Sequence, residues 1–373
     1  MFHVWEVNEL ADLNDYRSAW ESLLAQTKNA TFFQSLDWLE VYWKHFGADQ
    51  RLRVLVVAEG NEPIGILPLV VRSERTKIGN LRFLTYPLDY WGSFYGPIGP
   101  RPDSTLEAGL QYVRRRRRDW DVLELRWLPA EDDDPCRTGA TLESLGLRPC
   151  RTLLDHTAVI RLEGTWEDYL AKRTSKWRNN YRRWQRKLEK RGQLDYLRYR
   201  PRGADHGDGD PRWDLYDACL EVAQKSWQGS SRNGTTLSHD SISPFLKDVH
   251  ATAARVEALD LNLFLLDGKA FAFIYNYHYR GRLFGLRVGY DAALARDGAG
   301  NLLYARTIED SFGRGDGLYD LGPGSLDAKR YFQTEIRPIF RYSHFPRLTV
   351  RPQLLRLKRS IDAIRQTPEP ALS

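Results

Sequence analysis

The sequence predicts an α+β fold built as two successive units. Three observations carry this. Segments of helical periodicity alternate with β-rich runs, the runs come in groups joined by tight turns, and both halves present these elements in one order. The length of 373 residues fits two domains of ordinary size. Hydrophobic residues make up 42% and aromatics 12%, enough to bury cores and to exclude wholesale disorder.

In the first half, Trp20 and Leu24, then Leu36, Leu39, Trp43 and Phe46, fall at helical spacing. Residues 52–58 and 64–71 are β-rich and separated by Gly60, Asn61, Glu62 and Pro63, a turn signal. A third strand is expected at 81–86. The loop 89–97 is crowded with aromatics, Tyr90, Trp91 and Phe94 among them, whose flat faces suit stacking on a sugar or filling an interface. Residues 106–113 read as helix, 122–127 as strand and 142–145 as a short helix.

The second half opens with an extended run at 156–162. One amphipathic helix is expected over 166–191, because Leu170, Thr174, Trp177, Tyr181, Trp184 and Leu188 share a face. Helices at 213–227 and 242–256 precede three strands, 259–266, 270–279 and 283–290, joined by Gly-centred turns. A Gly-rich loop, a helix at 301–312, a strand at 318–321 and a last helix and strand within 329–345 complete it. The boundaries expected are 1–155 for the first domain, 156–350 for the second, and 351–373 as a C-terminal tail.

Charge is concentrated. Between Lys172 and Arg191 stand ten Lys/Arg and one Glu, a net +9 in a chain of net +6. Such a helix suits RNA phosphates, anionic lipid or an acidic polymer, or is a solvated face over a packed apolar seam. Cys136, Cys150 and Cys219 have no close spacing, and the eight histidines form no HExxH, so neither a disulfide framework nor a metal centre is expected. The N-terminus has no basic, apolar leader pattern and no apolar run is long enough to span a bilayer, which gives a cytoplasmic expectation without a transmembrane segment.

The chemistry concentrates between Arg287 and Tyr331. A strand enters a loop with Gly298 and Gly300, and a helix follows at once. Unpaired N–H groups at a helix start, with glycines that let a ligand approach, suit a pyrophosphate. Beyond that helix come Tyr319-Asp320-Leu321-Gly322-Pro323-Gly324 and then Asp327-Ala328-Lys329-Arg330-Tyr331. With Trp177-Arg178-Asn179-Asn180-Tyr181, Gln34-Ser35-Leu36-Asp37-Trp38 and Leu266-Asp267-Gly268-Lys269, these segments resemble the GNAT superfamily of acyl-CoA transferases. The likeness is closest to acetyltransferases of the bacterial cellulose-biosynthesis (CelD-like) type, related to the Fem aminoacyltransferases. Two departures stand out: Ala295 where the family places a basic or amide residue, with Arg296 one place later, and Ala328 where a Tyr precedes the Lys.

The resemblance implies two tandem GNAT-like halves, each a mostly antiparallel mixed sheet flanked by helices, with the working site in the second. It implies acetyl-CoA or another acyl-CoA as co-substrate, no metal, and an amine acceptor on a sugar, polysaccharide precursor or small metabolite. The acyl-CoA would lie along Val288, with Arg296, Gly298, Gly300 and Asn301 at the pyrophosphate. Asp320 would orient or deprotonate the amine, or else cap the Gly322–Ser325 turn. Lys329 would hold an anionic group, and Tyr304 would protonate the thiolate or serve packing. Trp227, Gly322, Gly324 and Tyr331 would face the acceptor, with Trp227 alternatively closing a helix end. Two other readings stay open: a Fem-type transferase using aminoacyl-tRNA, and a scaffold of the same fold without chemistry.

Overall fold

A computed structural model describes residues 2–88, 92, 94–230 and 236–366. The aromatic loop residues Tyr90 and Trp91, and residues 231–235 after Trp227, lie outside the described residues. The chain divides into two compact units, 1–154 with 339–373, and 155–338.

In the first unit, β1 (Phe2–Val7), α1 (Arg17–Gln26) and α2 (Leu36–Phe46) precede a meander of β2 (Gln50–Glu59), β3 (Glu62–Thr76) and β4 (Gly79–Thr85). Then come α3 (Pro102–Arg115), β5 (Val122–Leu128), α4 (Thr138–Ser144) and the first residues of β6 (Pro149–Arg161). The second unit continues with α5 (Trp166–Ala171), α6 (Ser175–Glu189), β7 (Leu194–Tyr199), α7 (Trp213–Lys225) and α8 (Ser243–Arg255). Its meander is β8 (Leu259–Leu266), β9 (Lys269–Tyr279) and β10 (Arg282–Tyr290), followed by α9 (Ala299–Gly313), β11 (Leu318–Asp320) and α10 (Leu326–Lys329). β12 (Glu335–His344) and α11 (Val350–Gln366) end the chain.

The two units repeat one topology. In the first, β1 to β4 pair antiparallel in sequence order, β4 and β5 pair parallel, and β12 pairs antiparallel with β5. In the second, β7 to β10 pair antiparallel, β10 and β11 pair parallel, and β6 pairs antiparallel with β11. Each unit is thus a mixed, mostly antiparallel sheet flanked by helices, as the sequence predicts.

The structure adds the edge strands β1 and β7, which the sequence reading does not contain, and two expected segments differ. The helix expected over 166–191 is two helices, because the Thr174 hydroxyl accepts the Trp177 N–H and starts α6 afresh after Ala171. Residues 339–373 fall in the first unit, whereas the sequence reading gives 156–350 to the second domain and leaves 351–373 as a tail. Phe345 and Leu355 are buried with Leu81, Phe83 and Val122, and β12 pairs with β5 over residues 340–344. Those contacts are distant in sequence, and α11 is a helix where a tail is expected.

Candidate functional site

β10 and β11 pair only from Arg282↔Leu318 to Phe284↔Asp320. β11 then ends, while β10 runs on to Tyr290 with a bulge between Gly285 and Arg287. The sheet therefore opens at one point. Gly285 and Gly322 meet there: a Cβ on Gly322, at φ +75°, would lie 2.7 Å from the Gly285 carbonyl oxygen. α9 starts at the same end, its first-turn amides outside the intrahelical ladder and its N-cap residue Gly298 supplying no side-chain cap.

Asp320 is buried at the end of β11. Its Oδ1 accepts from Thr157 Oγ1 and, at 2.7 Å, from the Gly322 N–H. Burial raises its pKa above the ordinary carboxylate value, opposed by these two bonds and by the Lys329 charge. Lys329 Nζ donates to the carbonyls of Gly322 and Pro323 at 2.6 and 2.7 Å. Burial pulls its pKa down to about 8 against the attraction of Asp320. The two residues therefore grip the N–H and the C=O of one glycine. Each caps the turn, and each titrates closer to neutrality than its type does in water.

Tyr304 lies on α9 with its ring 5.3 Å from that of Phe332. Burial raises its phenol well above the ordinary value, so it stays protonated. The Val288 carbonyl is engaged by Trp227 Nε1 at 3.3 Å and Gln228 Nε2 at 3.2 Å. Gln228 is 1% exposed and its Oε1 accepts the Leu237 N–H, which ties the segment after α7 to β10. Arg296 and Tyr331 are exposed, the latter 48%, with its hydroxyl held by Arg330. Gly324 has φ +108° and open space around it. Asn301 is half-buried on the first turn of α9.

The glycines of the loop have occupants of their own. A Cβ on Gly298, at φ +85°, would lie 2.1 Å from Trp184 Cδ1, and one on Gly300 would lie 2.7 Å from the Tyr290 ring. Both glycines thus admit an aromatic ring from the protein, where the sequence reading has them admit a phosphate. Asp297 accepts from Arg191 at 2.8 Å and Lys187 at 3.4 Å, binding the loop to α6. Burial opposes its charge, but these cations win and hold its carboxyl below the usual range.

The site gathers Asp320, Lys329, Gly322 and Thr157 into one cluster and Val288 with Trp227 into another. Thr157 is the site member sequence reasoning passes over, and Gln228 is one it reads only as a neighbour of Trp227. The signal for Thr157 is one polar residue in the run Thr157-Ala158-Val159-Ile160, and for Gln228 a polar residue directly after the indole of Trp227.

Residues 175–331 match the acetyltransferase (GNAT) domain family. The matched span holds α6, the parting strands β10 and β11, α9, Asp320 and Lys329. Over the whole chain, the crystal structure of FemX is similar at 10% identity and TM-score 0.62, covering 95% of this chain and 99% of that one. The C-terminal (DUF2156) domain of a putative lysylphosphatidylglycerol synthetase from Agrobacterium fabrum is similar at 11% identity and TM-score 0.56, covering 95% and 97%. A conserved protein of unknown function from Bacteroides thetaiotaomicron gives 13% identity and TM-score 0.51, covering 92% and 100%. At these identities the likeness is one of fold. No curated protein matches the sequence. Among the described residues no group of His, Cys, Asp and Glu is arranged to hold a metal ion, and no helix is long and apolar enough to cross a membrane.

Proposed function

We propose that the GNAT domain transfers an acyl group from acyl-CoA, acetyl-CoA in the first instance, to an amine on a sugar, polysaccharide precursor or small metabolite. The observation that carries this reading is the parting of β10 from β11 beside the uncapped start of α9. The acyl-CoA would lie as substrate along residues 285–290, its pyrophosphate on the amides of Ala299, Gly300 and Asn301, with Arg296 nearby.

Asp320 then receives the amine proton on Oδ2, the oxygen that accepts no hydrogen bond among the described residues. The amine nitrogen bonds to the thioester carbonyl carbon, the C–S bond breaks, and Tyr304 supplies the proton that the departing thiolate takes. The raised pKa of Asp320 suits a base. Lys329 shapes the Gly322 turn and lends a positive charge beside Asp320, and in this reading the exposed Tyr331 and Trp227 would contact the acceptor.

The reading is tested by following CoA release from acetyl-CoA against a panel of amino sugars and amino acids. Amine-dependent release that fails in Asp320→Asn is expected; no release with any amine favours the scaffold reading. A second reading rests on α6, whose Arg182, Arg183 and Arg186 are exposed. A Fem-type transferase would need that face for tRNA, and salt-sensitive tRNA binding distinguishes it.

A further inference from the structure

The first unit has a cavity of its own, outside the GNAT domain. It measures about 680 Å³ and is lined in part by Arg72, Arg75, Arg126, Arg341 and Arg359. We propose that it binds a small organic phosphate, a phosphate monoester on an apolar or aromatic body. This inference does not rest on the acyl-CoA reading.

The charge balance comes first. Glu74 accepts from Arg72 at 2.8 Å and from Arg126 at 2.6 Å. Glu124, fully buried behind the wall, accepts from Arg126 and Arg359. Asp49 is the remaining carboxylate of the lining. Five guanidinium groups thus stand against three carboxylates, an excess of two positive charges, the charge a phosphate monoester neutralises near pH 7. Arg341 and Arg75 carry that excess. Neither side chain makes a hydrogen bond or close ion pair among the described residues; Glu124 and Glu74 attract Arg341 only from a distance, and its Nε is buried without a partner. An unpaired, half-buried guanidinium is costly to keep, and a bidentate anion satisfies it.

The strand geometry aims these groups. Phe340 pairs with Leu128 and Tyr342 with Leu125, so Arg126 and Trp127 of β5 lie together opposite Arg341 of β12. Trp127 has φ +61°, a left-handed conformation rare for a large side chain. A bulge of this kind re-aims side chains, and here two consecutive residues both line the cavity. Phe46, Tyr86, Leu88, Trp127 and Leu154 make the apolar part of the wall. The volume is that of a small-molecule site and far exceeds a bare phosphate ion, which is why the ligand has an organic body.

Calorimetric titration of the full chain with phenyl phosphate, inorganic phosphate, benzoate and phenol tests this. Saturable one-to-one binding of phenyl phosphate is expected, weaker binding of inorganic phosphate, and none of phenol. Arg341→Gln should lower phenyl phosphate affinity tenfold or more with an unchanged or raised melting temperature, since that arginine holds nothing in place. Arg75→Gln, at an exposed position, should weaken binding severalfold and serves if Arg341→Gln does not fold. The proposal is overturned by no saturable binding of phenyl phosphate, by equal affinity in both variants, or by benzoate binding as tightly.

Discussion

Gly322 offers its N–H to Asp320 and its C=O to Lys329, so a change at either residue alters both the turn and the local charge. If Asp320 serves as base, Asp320→Asn should lower kcat by about 10²–10⁴-fold with little change in CoA affinity. Were it only a turn cap, the loss would be about 0.5–1.5 kcal/mol of stability with turnover per folded molecule unchanged. Melting curves run beside kinetics separate the two. Lys329 gives a second handle. Its amine releases a proton near pH 8 in the folded chain, while the ordinary lysine value is 10.5. Between those values the unfolded chain holds a proton the folded chain lacks, so this residue's contribution to stability rises with pH across that window. The stability of wild type minus that of Lys329→Met, measured by urea unfolding at pH 7.5 and about pH 10, should therefore grow; equal differences would place the lysine in water.

At the scale of elements, the loop before α9 and the helix α6 form one construction. Asp297 takes Lys187 of α6 and Arg191 just beyond its end, and Gly298 receives the Trp184 indole. Gly298→Ala should cost more than about 1 kcal/mol, because φ is positive and the methyl meets the indole. Shortening Trp184 to Ala in the same chain should make the two losses less than additive, a coupling that thermal unfolding of the double mutant measures. Periodicity made the apolar seam of α6 legible, and Trp177 and Leu188 are buried as that pattern requires. It carried no information on what Trp184 meets more than a hundred positions later, so Gly298 read as room for a phosphate. The break at Thr174 was equally hidden, since its cap is a local hydrogen bond inside an unbroken apolar stripe. The outward arginines make a separate prediction. Replacing Arg182, Arg183 and Arg186 together by Glu should leave the melting temperature nearly unchanged, these residues being exposed. Loss of acyl transfer together with loss of tRNA binding in that variant would favour the Fem-type reading.

Over the whole molecule the repeated order of strands and helices was visible because hairpins and their turns are local in sequence. The pairings of the closing strands were not. β12 joins the first unit from the far end of the chain, and β6, whose strand was expected at 156–162, pairs with β11 some 160 positions later. No periodicity reports such pairings, and the edge strands β1 and β7 are short. The repeat also sharpens the functional division. Both units pair their meander with one parallel strand; the match to the GNAT family covers residues 175–331, and the arginine-lined cavity belongs to the other unit. Donor binding should thus be a property of the second unit. The most direct measurement is a calorimetric titration of the full chain with CoA, paired with melting curves. A single saturable event is expected, stabilising the fold by about 2.7 kcal/mol at a hundredfold excess over the dissociation constant and unchanged in Arg341→Gln. No heat and no melting shift at millimolar CoA would contradict the assignment of the β10–β11 opening to an acyl-CoA donor.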